Sequence, residues 1–445
     1  MIDRAIQLIE EGKYSHARTE ILEMNVVDIA ELFEELETEK ILIMFRLLPK
    51  EIAVDVFSYM SIESQQFLIE AITDTEIRTI VEELFLDDTV DILEEMPANV
   101  VKKVLINTSK DKRDLINHFL KYPDNSAGSI MTIEYVDLKK EMTVKQALNH
   151  IRKIGVDKET INTCYVMNQN RKLEGIVSLR KLIMSDEDVV IDEIMQTNII
   201  SLNTHTDQEE IAAIFKKYDL LVIPVVDNEV RLVGIITIDD VVDIIDQENT
   251  EDFQKMAAMQ PSDEEYLKTN VFSLAKHRVI WLMVLMISAT ITGSIIKSYE
   301  EILQSVVILA AFIPMLMDTG GNSGSQSATL VIRGLALGEI EMQDIGRVLW
   351  KEFRVSLLVG TSLAGVNFLR IYFIERTDLN VAITVCVSLF LTVVVAKMVG
   401  GILPIIAKKL RLDPAIMASP LITTIVDAVA LIAYFAIATA LMGIA

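Results

Sequence analysis

Any chemistry available to this chain is carboxylate chemistry. In the run Asp239-Asp240-Val-Val-Asp243-Ile-Ile-Asp246-Gln-Glu248-Asn-Thr-Glu251-Asp252 the acids recur at helical spacing. At 100° per residue, Asp240, Asp243, Glu248 and Glu251 share an arc of about 140°. Like charges one turn apart repel by roughly 0.2–0.5 kcal/mol per pair, a cost that a bound cation would offset. A second acidic group, Asp87, Asp88, Asp91, Glu94 and Glu95, lies in the N-terminal third, and Asp427 is the one charge between Asp413 and the C-terminus, within an apolar run. A carboxylate at such depth is costly and faces a wet interior or an ion path. All these ligands are oxygen, the preference of hard divalent cations. Thr423 and Thr424, one turn before Asp427, would add neutral oxygens, and Pro420 is expected to free a nearby backbone carbonyl. One carboxylate binds weakly, whereas two related by a dimer axis would make a divalent site. The two cysteines, Cys164 and Cys386, form no metal set or disulfide framework, and no nucleophile–base arrangement stands out, so the reading is not an enzyme.

The elements that must position these acids fall into two regimes. Residues 1–275 carry 28 Lys+Arg and 54 Asp+Glu, and residues 276–445 carry 13 and 11, so a strongly acidic part precedes a nearly neutral, apolar one. The acidic surplus excludes a nucleic-acid partner, which requires a basic surface. No cleaved signal is expected at the N-terminus. Apolar runs at Val279–Ile296, Ile302 to about Leu337, about Val348 to Ile374, Val381–Ala407 and Pro414–Met442 predict five membrane spans. With the N-terminal part in the cytoplasm, nine Lys/Arg flank the inner ends and Lys297, Arg370 and Arg376 the outer, while Lys397 lies inside a span. The C-terminus then exits outside. Within the second run, Gly320-Gly321-Asn322-Ser323-Gly324-Ser325-Gln326 is polar and permits close helix approach, with Asp318 just ahead of it.

In the acidic part, residues 126–250 hold a duplication: Met131 and Met195, Thr143 and Asp207, and Gly175 and Gly234 head matching motifs. The first two pairs are 64 apart and the last 59, which places five extra residues in the first copy near Gly155–Ile161. Residues 1–122 read as helices throughout, with Pro49 and Pro97 at boundaries. After Pro261, Ser262 and Glu265 form a capping-box pattern that predicts a helix leading into the membrane.

The duplicated runs, Val-Pro-Val-Val-Asp followed by Leu-Val-Gly-Ile-Ile-Thr and its partner, resemble a tandem CBS pair. With Thr319-Gly-Gly-Asn322-Ser-Gly-Ser325, Arg411-Leu-Asp413-Pro and Ser419-Pro-Leu…Asp427, the whole chain resembles the MgtE family of magnesium channels. The expected fold is multidomain: an all-α acidic domain (1–122), an α/β CBS pair (about 126–190 and 191–250), a connecting helix (251–275) and an α-helical membrane domain (276–445). The resemblance implies a homodimer in the bacterial inner membrane that takes up Mg²⁺ and is closed by cytoplasmic Mg²⁺. Asp427, with Asn322, Ser325, Thr423 and Thr424, would line the pore. Regulatory ligands would be Asp87, Asp91, Glu209, Asp219, Asp240, Asp243, Glu248, Glu251, Asp252 and Asp413. ATP binds the CBS pair in the family; here Leu220 stands where an aromatic is often found. An ion-coupled carrier and a non-conducting membrane sensor are the competing readings.

Overall fold

Prolines and hydroxyl caps cut the first 122 residues of the chain into ten helices of eight to ten residues. Pro49 and Pro97 occupy the N-caps of Lys50–Ser58 and Ala98–Asn107, where no backbone N–H is needed. Thr73 and Glu76 form a reciprocal capping box on Asp74–Glu83. Helices this short are marginal alone. They are held by a common core around Phe33, Phe57 and Leu68, which continues into Met131, Phe215 and Ile236. The computed structural model describes residues 1–262, 266–267, 269–417 and 419–442. It divides into two units, Met1–Ile245 and Asp246–Ala445.

The rest of the first unit contains two three-stranded sheets of one design. In each, the first strand runs parallel to the second and the second antiparallel to the third: Val136–Leu138, Thr163–Met167 and Leu173–Ser178, then Leu202–Asn203, Val222–Val226 and Leu232–Thr237. Eleven-residue helices, Val144–Ile154 and Gln208–Tyr218, make the crossovers. Eight residues then lead to the second strand in the first copy and three in the second, which locates the five-residue insertion at 155–162. The repeats dock crosswise. Thr132 pairs with Ile235 and Gln196 with Ile176. A Cβ at Gly234 would stand 2.7 Å from the Met131 sulfur and from the Thr132 carbonyl oxygen, and one at Gly175 would meet Met195. The two glycines are the floor on which the two methionines rest.

In the second unit, four helical stretches are long and apolar enough to cross a membrane: Val271–Ser298, Met342–Ile374, Leu379–Lys409 and Pro414–Met442. A fifth helix, Ile313–Ala336, has 24 residues, about 36 Å, and carries the glycine-rich polar segment. The second apolar run of the sequence is not one helix: a short helix, Glu300–Ser305, and a tight turn, Val307–Phe312, precede Ile313. The expected connecting helix over 251–275 is also absent as a unit. The acidic helix, Ile238–Met256, ends where Ala258 turns left-handed at φ 52°, and the membrane helix starts only at Val271, capped by Asn270. The Ser262 backbone is bound by Gln254: the Ser262 N–H donates to Gln254 Oε1 at 2.7 Å, and Gln254 Nε2 donates to its carbonyl at 2.8 Å. Glu265, the other half of that capping box, lies outside the described residues.

The crossed docking predicts that Gly234→Ala costs about 1–3 kcal/mol by overpacking. Thermal unfolding should show a lowered midpoint; a midpoint equal to wild type would contradict the packing.

Candidate functional site

Two sets of carboxylates in the first unit are brought within electrostatic range of one another, with Asp87 buried, Asp88 and Asp240 half-buried, and Asp91 and Asp239 exposed at the edge. Asp87 and Asp88 open the helix Leu86–Glu95, and Asp91 follows one turn later. Asp239 and Asp240 open the acidic helix, where Asp240 Oδ2 accepts a hydrogen bond from the Thr237 hydroxyl at 2.8 Å. Asp87 is 7% exposed, and its Oδ1 accepts from the Asp88 N–H at 3.0 Å. Burial, then Asp240 and Asp88, drives its carboxyl well above the usual range. Burial, then Glu94 and Asp240, pushes Asp91 up to about 7. Asp240 rises to about 6, by burial, against the Thr237 hydrogen bond and with Asp239 adding to the rise.

Glu159 joins this group, and sequence reasoning missed it. It lies in the five-residue insertion, where its N–H donates to the Glu134 carbonyl at 2.8 Å. Burial, with Asp239, Asp240 and Asp88, pushes it up to about 7. Lys112, whose ammonium donates to the Leu84 carbonyl at 2.5 Å, is held among Glu134, Glu82, Asp87 and Asp88. Glu209 and Asp219 sit apart, exposed at opposite ends of Gln208–Tyr218. They are about 15 Å apart along the axis, too far to share one ion within a protomer.

Asp243 and Glu248 follow on the acidic helix, whose last turns belong to the second unit and carry Glu251, Asp252 and Lys255. Lys255 donates to Asp413 Oδ2 at 2.5 Å and pairs with Glu251 as well. Asp252 beside them is half-buried, and its carboxyl is raised by burial and by Asp413, with Lys255 opposing. Met256 packs on the cluster of Ala328, Ile332, Ala396, Ile422 and Val426. The expected ligands Glu251 and Asp413 thus already share a tethered cation, a feature the sequence did not announce.

The membrane carboxylate is placed by glycines. A Cβ at Gly321 would come 2.7 Å from Thr423 Cγ2, one at Gly324 2.6 Å from Ile422 Cγ2, and one at Gly320 2.9 Å from Val426 Cγ1. The glycine-rich helix therefore presses its buried face onto the final helix, Ser419–Met442. Asp427, next to Val426, is half-buried, and among the described residues its buried Oδ1 has no hydrogen-bond partner. Asp318 lies within electrostatic range of it. Asp318, Asn322, Gln326 and Thr329 are exposed on the outside of the protomer, and Ser325 beside them bonds to the Gly321 carbonyl at 2.8 Å. The expected free carbonyl at Pro420 is a correction. Pro420 stands in the first turn, where its missing N–H breaks nothing, and its carbonyl accepts from both Thr423 and Thr424, at 2.9 and 3.0 Å.

Among the described residues no three His, Cys, Asp or Glu side chains converge tightly enough to enclose a bare cation.

Comparison with known proteins follows the same divisions. Residues 313–437 match the family described as MgtE, divalent cation transporter; residues 24–125 match the MgtE intracellular N domain; and 127–188 and 191–247 match CBS domains. The chain is 36% identical over 440 residues to the magnesium transporter MgtE of Thermus thermophilus, covering 98% of this chain and 97% of that one. It is 34% identical to the Bacillus subtilis protein of the same name, covering 99% and 97%. Among solved structures, the cytosolic domain of the Mg²⁺ channel MgtE in complex with ATP superposes with a TM-score of 0.52 at 35% identity, covering 55% of this chain and all of that one.

The raised carboxyls fix the sign of a pH effect. Asp91, Glu159 and Asp240 bind protons more tightly folded than unfolded, so stability is greatest below the ordinary carboxylate range near 4 and falls as pH rises toward about 7. Metal-free protein should melt at lower temperature at pH 8 than at pH 5, and Asp91→Asn should reduce that difference. A melting point that rises over this window would contradict the electrostatics.

Proposed function

The chain belongs to the MgtE family of divalent cation transporters, and on that premise we propose that it is a Mg²⁺ channel for uptake, closed by cytoplasmic Mg²⁺. The reading is carried by Asp427. Its half-buried carboxylate lies on an apolar helix, beside a helix whose polar residues open on the outside of the protomer. A polar strip on a membrane helix requires a partner other than lipid. A second copy of the chain supplies one, and the two Asp427 carboxylates then flank a water-filled path on the dimer axis. They hold Mg²⁺ through its hydration shell, with Asn322, Ser325, Thr423 and Thr424 adding neutral oxygens. The cytosolic part faces the cytoplasm of a bacterial inner membrane and the C-terminus faces outside, in keeping with the excess of Lys and Arg at the inner ends.

Regulation follows from repulsion. At low Mg²⁺ the carboxylates at Asp87, Asp91, Asp240 and Asp243 repel one another; at high Mg²⁺, bridging ions favour the compact arrangement. Glu248, Glu251, Asp252 and Asp413 form a second regulatory group, with Met256 coupling the connector to the cluster that contains Val426. Glu209 and Asp219 are proposed as further ligands at separate sites. ATP, bound by the cytosolic domain of the solved relative, is proposed as a ligand of the CBS pair.

In proteoliposomes, Asp427→Ala should abolish Mg²⁺ uptake that wild type supports; uptake by the variant at the wild-type rate would favour a carrier using another path, and no uptake by the wild type itself would favour a non-conducting sensor. In patch recordings, Asp240→Asn/Asp243→Asn/Glu251→Gln should require about tenfold or more internal Mg²⁺ to close. Unchanged closure would contradict the regulatory reading.

A further inference from the structure

Behind the polar face of the glycine-rich helix, three side chains from three helices meet away from water. Ser327 is 1% exposed, Lys397 4% and Glu352 9%. The Ser327 hydroxyl donates to Glu352 Oε2 at 2.6 Å and accepts from Lys397 Nζ at 3.4 Å. Their positions count about 14 Å from the end of Ile313–Ala336, about 10 Å from the start of Ile345–Leu369 and about 18 Å from the end of Leu379–Lys409. All three depths are measured from ends rich in Lys and Arg, and they place the group well inside the helical bundle, away from every helix end. Ionisable residues there are costly and mark function unless paired.

Packing holds the group in one arrangement. Gly401 leaves room for the Glu352 stem, since a Cβ there would come 3.2 Å from Glu352 Cγ. Gly400 lets the Leu379–Lys409 backbone touch the Gly324 carbonyl. Ser327 follows Gly324 by one turn and faces inward, while Asn322 and Ser325 lie on less buried faces of the same rigid helix. Any rotation of this helix at Ser327 turns those two side chains by the same angle.

We infer that Glu352, Ser327 and Lys397 form a positioning relay that sets the orientation of the pore-lining face of the glycine-rich helix and thereby its preference for divalent over monovalent ions. The serine is the centre, being the one group that bonds to both charges. This assignment rests on the ion-path reading of Asp427, and its test separates the two. Full-length protein in proteoliposomes is assayed for Mg²⁺ and Na⁺ flux, with thermal unfolding measured on the same preparations. Ser327→Ala should lower the Mg²⁺ to Na⁺ flux ratio about tenfold, the scale of one lost buried hydrogen bond to a charge, in protein that has a lower melting temperature but still unfolds cooperatively. Ser327→Thr, which keeps the hydroxyl, should restore the ratio. Glu352→Gln/Lys397→Met removes both charges together, avoiding an unpaired buried ion, and should fold yet lose the preference likewise. A wild-type ratio in folded Ser327→Ala or in the double variant overturns the relay. Wild-type Mg²⁺ flux in Asp427→Ala overturns the ion path beneath it, whatever the Ser327 variants do.

Discussion

Carboxylates crowded together with too few cations to balance them are the constraint on which this molecule turns. Asp87 is buried, Glu159 and Asp240 are half-buried and Asp91 lies at the exposed edge of the group, and the cost appears as carboxyls raised well above the usual range at Asp87, to about 7 at Asp91 and Glu159, and to about 6 at Asp240. A fold selected for stability alone would separate them or supply lysines. Here Lys112 reaches the edge of the group, and at the second acidic group Lys255 is shared between Glu251 and Asp413. On the regulatory reading proposed above, that repulsion is what a bound divalent ion would relieve.

Everything else serves to hold those acids in place. The crossed docking of the two CBS repeats, with Met131 on Gly234 and Met195 on Gly175, fixes the start of the acidic helix immediately after the third strand of the second sheet. In the membrane, glycines do the corresponding work by removing side chains between helices. The glycine-rich helix can then lie directly on the final helix and on Leu379–Lys409, and Asp427 lies half-buried within electrostatic range of Asp318. Glu352 and Lys397, on two neighbouring helices, brace the same glycine-rich helix from behind through Ser327.

Features that depend on short stretches were legible in the sequence. Asp427 and the glycine–asparagine segment stand out because a charge or a polar run in an apolar stretch is rare. Pro49 and Pro97 mark helix starts because proline tolerates few other positions in a helix. Counting between repeats located the insertion to within a few residues. It could not reveal that the insertion carries Glu159 into the acidic group, since that depends on where a loop comes to rest. Lys255 meets Asp413 across 158 positions and Lys397 meets Ser327 across 70, and no local pattern encodes either pairing. The acidic helix ends at Met256 for an equally non-local reason: Gln254 reaches forward to bind both backbone groups of Ser262, a contact that no local pattern announces.

If buried acids keep protons until a divalent ion replaces them, binding must expel those protons. Calorimetric titration of Mg²⁺ into the metal-free protein, in two buffers of different ionisation enthalpy, counts the protons released. The account predicts more than about one proton released per molecule at pH 6.5, falling toward none at pH 8.5 as Asp91, Glu159 and Asp240 lose theirs beforehand. Binding with no proton release at pH 6.5, or the same release at both pH values, would contradict it.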